Sequence, residues 1–200
     1  MNTPNKLTLA RMIATPIFMA VMLIPFNYQY TVAFVLFALA SITDAIDGNM
    51  ARKYNMVTDF GKFMDPLADK MLTTAAYLGF MFIYGSTPFN FAWQMTTITF
   101  IVLFREFAVS SIRLVAVKSG GEVVAANMWG KCKTASQMVG IVFALGVFAF
   151  SEIVPVDVSY NTFIILHSVI IGLFWLSAVL CAISGAIYIW NGRKYIANAK

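Results

Sequence analysis

The stretch DAIDGNMARKYNMVTDFGKFMDPLAD, residues 44–69, gathers four carboxylates, Asp44, Asp47, Asp65 and Asp69, in a chain that is otherwise mostly apolar. Asp44 and Asp47 are three apart and Asp65 and Asp69 four apart, so in helices each pair shares one face. Long apolar runs lead into this stretch and out of it, which sets it at a membrane boundary. Four like charges there repel one another unless cations intervene. Mg²⁺ and Mn²⁺ suit carboxylate oxygens and keep positions open for phosphate. The plainer alternative is a solvated loop whose acids pair with Arg52, Lys53 and Lys62; two helix-phased pairs weigh against it.

Outward from this block, hydrophobic residues make up 60% and charged residues 12% of the 200, with a mean hydropathy of +0.77. So few charges cannot cover a soluble surface, and the chain reads as an integral membrane protein. Apolar segments near 9–26, 31–50, 66–85, 92–117, 134–151 and 162–190 each approach the roughly 20 residues that cross a bilayer. The first has Arg11 near its start and no clear small-residue cleavage site, so it reads as a retained helix and not a signal peptide. Lys6, Arg11, Arg52, Lys53, Lys62, Lys70, Arg113, Lys118, Lys131, Lys133, Arg193, Lys194 and Lys200 cluster on one side, and the alternate loops near 26–30, 86–91 and 152–160 hold no Lys or Arg. The positive-inside rule then makes both termini cytoplasmic.

The expected architecture is an all-α integral membrane protein: six transmembrane helices, one domain over 1–200, in the plasma membrane with the acid block on the cytoplasmic face. Trp93 at the outer interface and Trp129 and Trp190 at the inner one suit interfacial anchoring. The pI near 9.3 reflects this sidedness, and no basic–aromatic pattern points to nucleic acid. Cys132 and Cys181 lack metal-ligand spacing and read as free thiols. His167, the single histidine, lies toward the outer side of the sixth span, where a hydrogen-bonded core residue is expected. That sets aside Ser-His-Asp catalysis and zinc hydrolysis. Glu152 and Asp157 are expected in an outer loop, and Asn191-Gly192 is expected to end the last span.

Several residues around the acids suit a nucleotide or a phosphate. Thr8 and Arg11 share a face with Asn5 nearby, either as a polar lead-in to the first span or as part of a substrate site. Gly48 lets a bulky group approach the backbone, Ala51 is small, and Arg52 offers a cation suited to phosphate. Gly61 is similarly permissive. Pro66 suits the first turn of the third span, with Asp65 near its cap and Asp69 one turn inside. A carboxylate so placed gains proton affinity, as a general base requires. In the second half, over residues 105–137, Arg105, Arg113, Lys131 and Lys133 form a candidate anion pocket for an acceptor that carries phosphate. Arg105 sits well inside an apolar span and should face a polar cavity, unless it pairs with Glu106 or another acid. Lys131 and Lys133 also fit the plain role of sidedness charges or of contacts to anionic lipid. Gly140, Gly146, Gly172 and Gly185 suit close helix packing or a dimer face.

The pattern D-x2-D-G-x2-A-R-x8-G-x3-D-x3-D, at Asp44, Asp47, Gly48, Ala51, Arg52, Gly61, Asp65 and Asp69, resembles the motif of the CDP-alcohol phosphotransferase family without a mismatch. The resemblance implies an enzyme that displaces CMP from a CDP-linked donor by attack of an alcohol. It further implies two divalent cations, Mg²⁺ or Mn²⁺, held by the four aspartates. Asp69 would be the base that takes the alcohol proton. Asn5, Thr8, Gly48, Ala51, Arg52 and Gly61 would shape the nucleotide side. The expected assembly is a six-span homodimer whose site opens to cytoplasm and lipid.

Beyond the block, RE-x6-R (Arg105, Glu106, Arg113), GK-x-KT-x2-Q (Gly130, Lys131, Lys133, Thr134, Gln137) and the opening PNKLT-x2-R resemble the bacterial branch that makes phosphatidylglycerophosphate. This branch implies CDP-diacylglycerol as donor and sn-glycerol 3-phosphate as acceptor, with Arg105, Arg113, Lys131 and Lys133 on the acceptor phosphate. Inositol phosphate, then a cardiolipin-type lipid, are the alternative acceptors. A cation transporter is the alternative of another class, but it calls for acids spread through the midplane, whereas these gather at one face.

Overall fold

Each of the six apolar runs forms a helix, because in an apolar setting the backbone must satisfy its own hydrogen bonds. The computed structural model describes residues 3–53, 59–86, 91–118, 128–154 and 160–197. For Asp47, Gly48, Ala51, Arg52, Gly61, Asp65, Asp69 and Arg113 only the helical backbone is described, and residues 120–122 and Asp157 lie outside the described set. The helices are α1 (Thr3–Leu23), α2 (Gln29–Lys53), α3 (Asp59–Gly85), α4 (Ala92–Lys118), α5 (Met128–Ile153) and α6 (Tyr160–Ala197). Four stretches, Asn5–Leu23, Ala92–Ile112, Met128–Ile153 and Tyr160–Asn191, are long and apolar enough to cross a membrane; Gln29–Asp44 is apolar but shorter.

Neighbour relations close a ring. α1 packs on α2 and α3, α2 on α5, α5 on α6, α6 on α4, and α4 on α3, while α3 and α5 also touch. The centre is aromatic: Phe80 and Tyr77 of α3 each lie 5.3 Å from the ring of Phe174 on α6, and Phe18 of α1 lies 5.8 Å from Phe37 of α2. Outward faces are apolar as well, with Phe100, Phe104 and Phe107 of α4 all exposed. A helix that is apolar all round belongs in a core or in lipid. Polar side chains are instead found inside, among them Asn5, Thr8, Arg11, Glu106, Lys133 and Gln137.

The two ends of the bundle differ. At one end, Glu152 of α5 accepts hydrogen bonds from the amides of Tyr30 (3.0 Å) and Thr31 (2.8 Å) and from the Thr31 hydroxyl (2.9 Å), capping the start of α2. Tyr28, with φ 63°, turns the chain into that helix. At the same end Tyr84 Oη and His167 Nδ1 are 2.9 Å apart, and the imidazole packs on Phe163 and Phe148. His167 is thus a buried, hydrogen-bonded residue, as the sequence led one to expect. The opposite end carries the acid block.

One local expectation holds and three change. α1 is one helix from Thr3, so the polar lead-in continues the first span. α3 begins at Asp59, which puts Pro66 eighth in the helix and Asp65 past its first turn, not at its cap. At that place a proline donates no backbone hydrogen bond and its ring crowds the carbonyl four residues earlier, which disfavours a regular helix there. Glu152 lies in the last turn of α5 and not in a loop, because its carboxylate has the α2 amides to bind. Finally, Asn191-Gly192 do not end α6, which runs on to Ala197; at 38 residues it is about 57 Å long at 1.5 Å per residue.

Candidate active site

The acid block is mounted on continuous helix at both of its ends. Asp44 and Asp47 lie on α2, six residues or more before its end at Lys53, and Asp65 and Asp69 lie in the first half of α3. The helical backbone confirms the spacing, so each pair shares a face. α1 packs against both of these helices. Its buried polar residues Asn5, Thr8, Arg11 and Thr15 recur at helical spacing, and Thr15 Oγ1 donates to the Arg11 carbonyl at 3.0 Å. Arg11 Nη1 donates to Asp44 Oδ1, forming an ion pair in which the arginine side chain is 1% and the aspartate 42% exposed.

An all-oxygen set of four carboxylates on two rigid helices suits a hard divalent cation. The described contact of Asp44 engages Oδ1 and leaves the side chain well exposed, so the group fits as a ligand. Among the described residues no group of three or more His, Cys, Asp or Glu comes together; the side chains of Asp47, Asp65 and Asp69 lie outside the described set.

A cluster of described side chains includes Lys70, the residue after Asp69 on α3. Glu106 of α4 is its centre. Lys133 of α5 donates to Glu106 Oε1, Arg105 Nη1 lies 3.4 Å from the same oxygen, and Lys70 Nζ lies 3.9 Å from Oε2. Lys70 also donates to Ser110 Oγ, which in turn donates to the Glu106 carbonyl at 2.7 Å. Arg105 Nη2 donates to Ser184 Oγ of α6 at 2.9 Å. The next residue, Gly185, lets that arginine lie close on α6: a Cβ there would stand 2.8 Å from Arg105 Cγ.

Of the four basic residues expected at the acceptor, Arg105 and Lys133 are therefore brought together, on Glu106. Lys131 is exposed on another face of α5, and Arg113 is placed by backbone alone, two turns beyond Arg105 on α4. From sequence, Lys70 reads as a sidedness charge, Arg11 as a sidedness charge on the polar face with Thr8, and Glu106 as a member of RE-x6-R and a partner for Arg105. The available signal for Glu106 was an acid inside an apolar run, which is costly without partners.

The family model described as CDP-alcohol phosphatidyltransferase matches residues 1–190. The chain belongs to this family. Similar proteins include the CDP-diacylglycerol–glycerol-3-phosphate 3-phosphatidyltransferase of Bacillus subtilis, 44% identical over 152 residues, covering 70% of this chain and 74% of that protein. A probable phosphatidylglycerophosphate synthase of Mycobacterium tuberculosis is 35% identical over 190 residues, covering 92% and 84%. A Shigella flexneri protein named like the first is 31% identical over 200 residues, covering 100% and 95%. The matched range of this CDP-alcohol phosphatidyltransferase contains the acid block, the polar face of α1 and the Glu106 cluster.

Proposed function

We propose that this chain transfers the phosphatidyl group from CDP-diacylglycerol to sn-glycerol 3-phosphate, giving phosphatidylglycerophosphate and CMP. The observation that carries the proposal is that Lys70, the residue after the last motif aspartate on α3, reaches the same Glu106 carboxylate as Arg105 and Lys133. Three relatives at 31–44% identity whose names specify this synthesis support the same acceptor.

The chemistry follows from the residues. Asp69 accepts the proton of an acceptor hydroxyl, whose oxygen attacks the phosphorus that carries diacylglycerol. A new P–O bond forms as the P–O bond to CMP breaks, and CMP leaves with the electron pair. Asp44, Asp47, Asp65 and Asp69 would hold two divalent cations, Mg²⁺ or Mn²⁺, which when bound supply positive charge for the pyrophosphate and for the charge that builds up on transfer. Asn5, Thr8, Gly48, Ala51, Arg52 and Gly61 line the nucleotide side. Arg105, Arg113, Lys131 and Lys133 take the acceptor phosphate, which an uncharged alcohol would not need.

In this reading all six helices span the plasma membrane, residues 1–200 form one domain, both termini and the site are cytoplasmic, and the protein is a homodimer. Purified protein supplied with CDP-diacylglycerol and labelled sn-glycerol 3-phosphate should pass the label into phosphatidylglycerophosphate in step with CMP release. Incorporation of labelled inositol phosphate into lipid, with none of labelled sn-glycerol 3-phosphate, would keep the family chemistry and overturn the acceptor.

A further inference from the structure

Three cations converge inside the bundle on one carboxylate. Lys70 comes from α3, Arg105 from α4 and Lys133 from α5, and all three lie within 4 Å of Glu106. Glu106 and Lys133 are buried, and Arg105 keeps only 13% of its side chain exposed. Lys70 is about one-third exposed; like charges this close and largely withdrawn from water repel, and the Glu106 carboxylate between them offsets that repulsion. Even then the cluster carries more positive than negative charge, an excess that suits a phosphate dianion. Arg105 is held at both terminal nitrogens, by Glu106 and by Ser184, while its Nε is buried without a hydrogen-bond partner among the described residues. A buried donor left in this way is costly unless a ligand accepts from it.

We infer that Glu106 is a positioning residue of the acceptor site: it holds Lys70, Arg105 and Lys133 in one place, so that the acceptor phosphate meets a preset group of cations. The inference rests on the acceptor reading given above and adds a residue that does not itself touch the acceptor. Pre-organisation of this kind acts on binding, because the cost of gathering the cations is met in folding and not when the ligand arrives.

The test is a kinetic comparison of wild type, Glu106→Gln and Glu106→Asp, with inorganic phosphate as a competing probe. Glu106→Gln keeps the shape and loses the charge. It should raise KM for sn-glycerol 3-phosphate about tenfold or more, leave KM for CDP-diacylglycerol within about twofold, and weaken inhibition by phosphate in parallel. Glu106→Asp keeps the charge on a shorter arm and should recover most of the acceptor KM. If Glu106→Gln does not fold, Glu106→Asp decides alone: the small residual rise left by its shorter arm, confined to the acceptor KM, supports the inference. Equal losses for both substrates, or none for the acceptor, would overturn it and make Glu106 a structural strut. A wild-type protein that releases no CMP with sn-glycerol 3-phosphate would defeat the functional reading and this inference together. An active wild type with an unaltered Glu106→Gln would defeat this inference alone.

Discussion

Arg11 donates to Asp44 across 33 residues of sequence, so the first acid of the block already has a cation built into the fold. The guanidinium is almost wholly buried and the carboxylate partly open, and a divalent cation at Asp44 would share that carboxylate with Arg11. In Arg11→Gln the metal-free protein loses a counter-charge that the metal can replace. Its Tm without divalent ions should therefore fall below that of wild type, and Mg²⁺ or Mn²⁺ should raise Tm more in the variant than in wild type, since a ligand that binds only the folded state stabilises by mass action. Thermal unfolding with and without the ion measures both. A smaller metal-induced rise in the variant would mean that Arg11 helps the ion to bind.

Asp69→Asn should abolish turnover, by about a hundredfold or more, while largely sparing donor binding, because the amide keeps the shape and cannot take a proton. Single-turnover CMP release and CDP-diacylglycerol binding are measured on the same preparation. Equal loss of binding would assign Asp69 mainly to metal ligation.

Gly185→Ala tests the fit of Arg105 against α6. The added methyl would stand 2.8 Å from Arg105 Cγ, near the base of the side chain, so the arginine has to move. Misplacing a binding group by a fraction of an ångström to an ångström should raise the acceptor KM about tenfold. Gly172→Ala is the control: nothing lies within 4 Å of a Cβ there, so helix propensity alone should act, worth about 1 kcal/mol or less in favour of alanine.

Glu152→Ala removes the cap of α2, leaving the Tyr30 and Thr31 amides without their carboxylate. A lost cap costs about 1–2 kcal/mol. Because this contact lies at the end of the bundle away from the acids, KM for both substrates should stay within about twofold. Chemical unfolding alongside steady-state kinetics separates the two effects.

Cys132 is exposed beside Lys131 and Lys133, and Cys181 is buried. A thiol reagent that cannot cross membranes should label Cys132 from the cytoplasmic side only, with Cys181 silent in the folded protein. Labelling in intact cells, compared with inside-out vesicles, reads the topology directly; labelling from outside would invert the orientation.

The six helices were legible because each is built on an apolar run separated from the next by turn residues, and four of the runs are long and apolar enough to cross a membrane. Their ends were less so. Hydropathy marks the apolar part of a helix, whereas α1, α3, α5 and α6 continue through polar residues such as Asn5, Lys62, Lys131 and Asn191. The aspartates and their pairing were legible from spacing alone, since the period of a helix is local. The partners of Arg11, Lys70 and Glu106 were not. Arg11 meets Asp44, and Lys133 meets Glu106, from 33 and 27 residues away, through the packing of separate helices. Nothing in the local sequence distinguishes a lysine that anchors sidedness from one that closes a buried cluster.

The most direct measurement is CMP release by the purified protein from CDP-diacylglycerol, with acceptor and divalent ion varied independently. Release is expected only when sn-glycerol 3-phosphate and Mg²⁺ or Mn²⁺ are both present. Folded protein that releases no CMP with any acceptor, at any concentration of either ion, would contradict it.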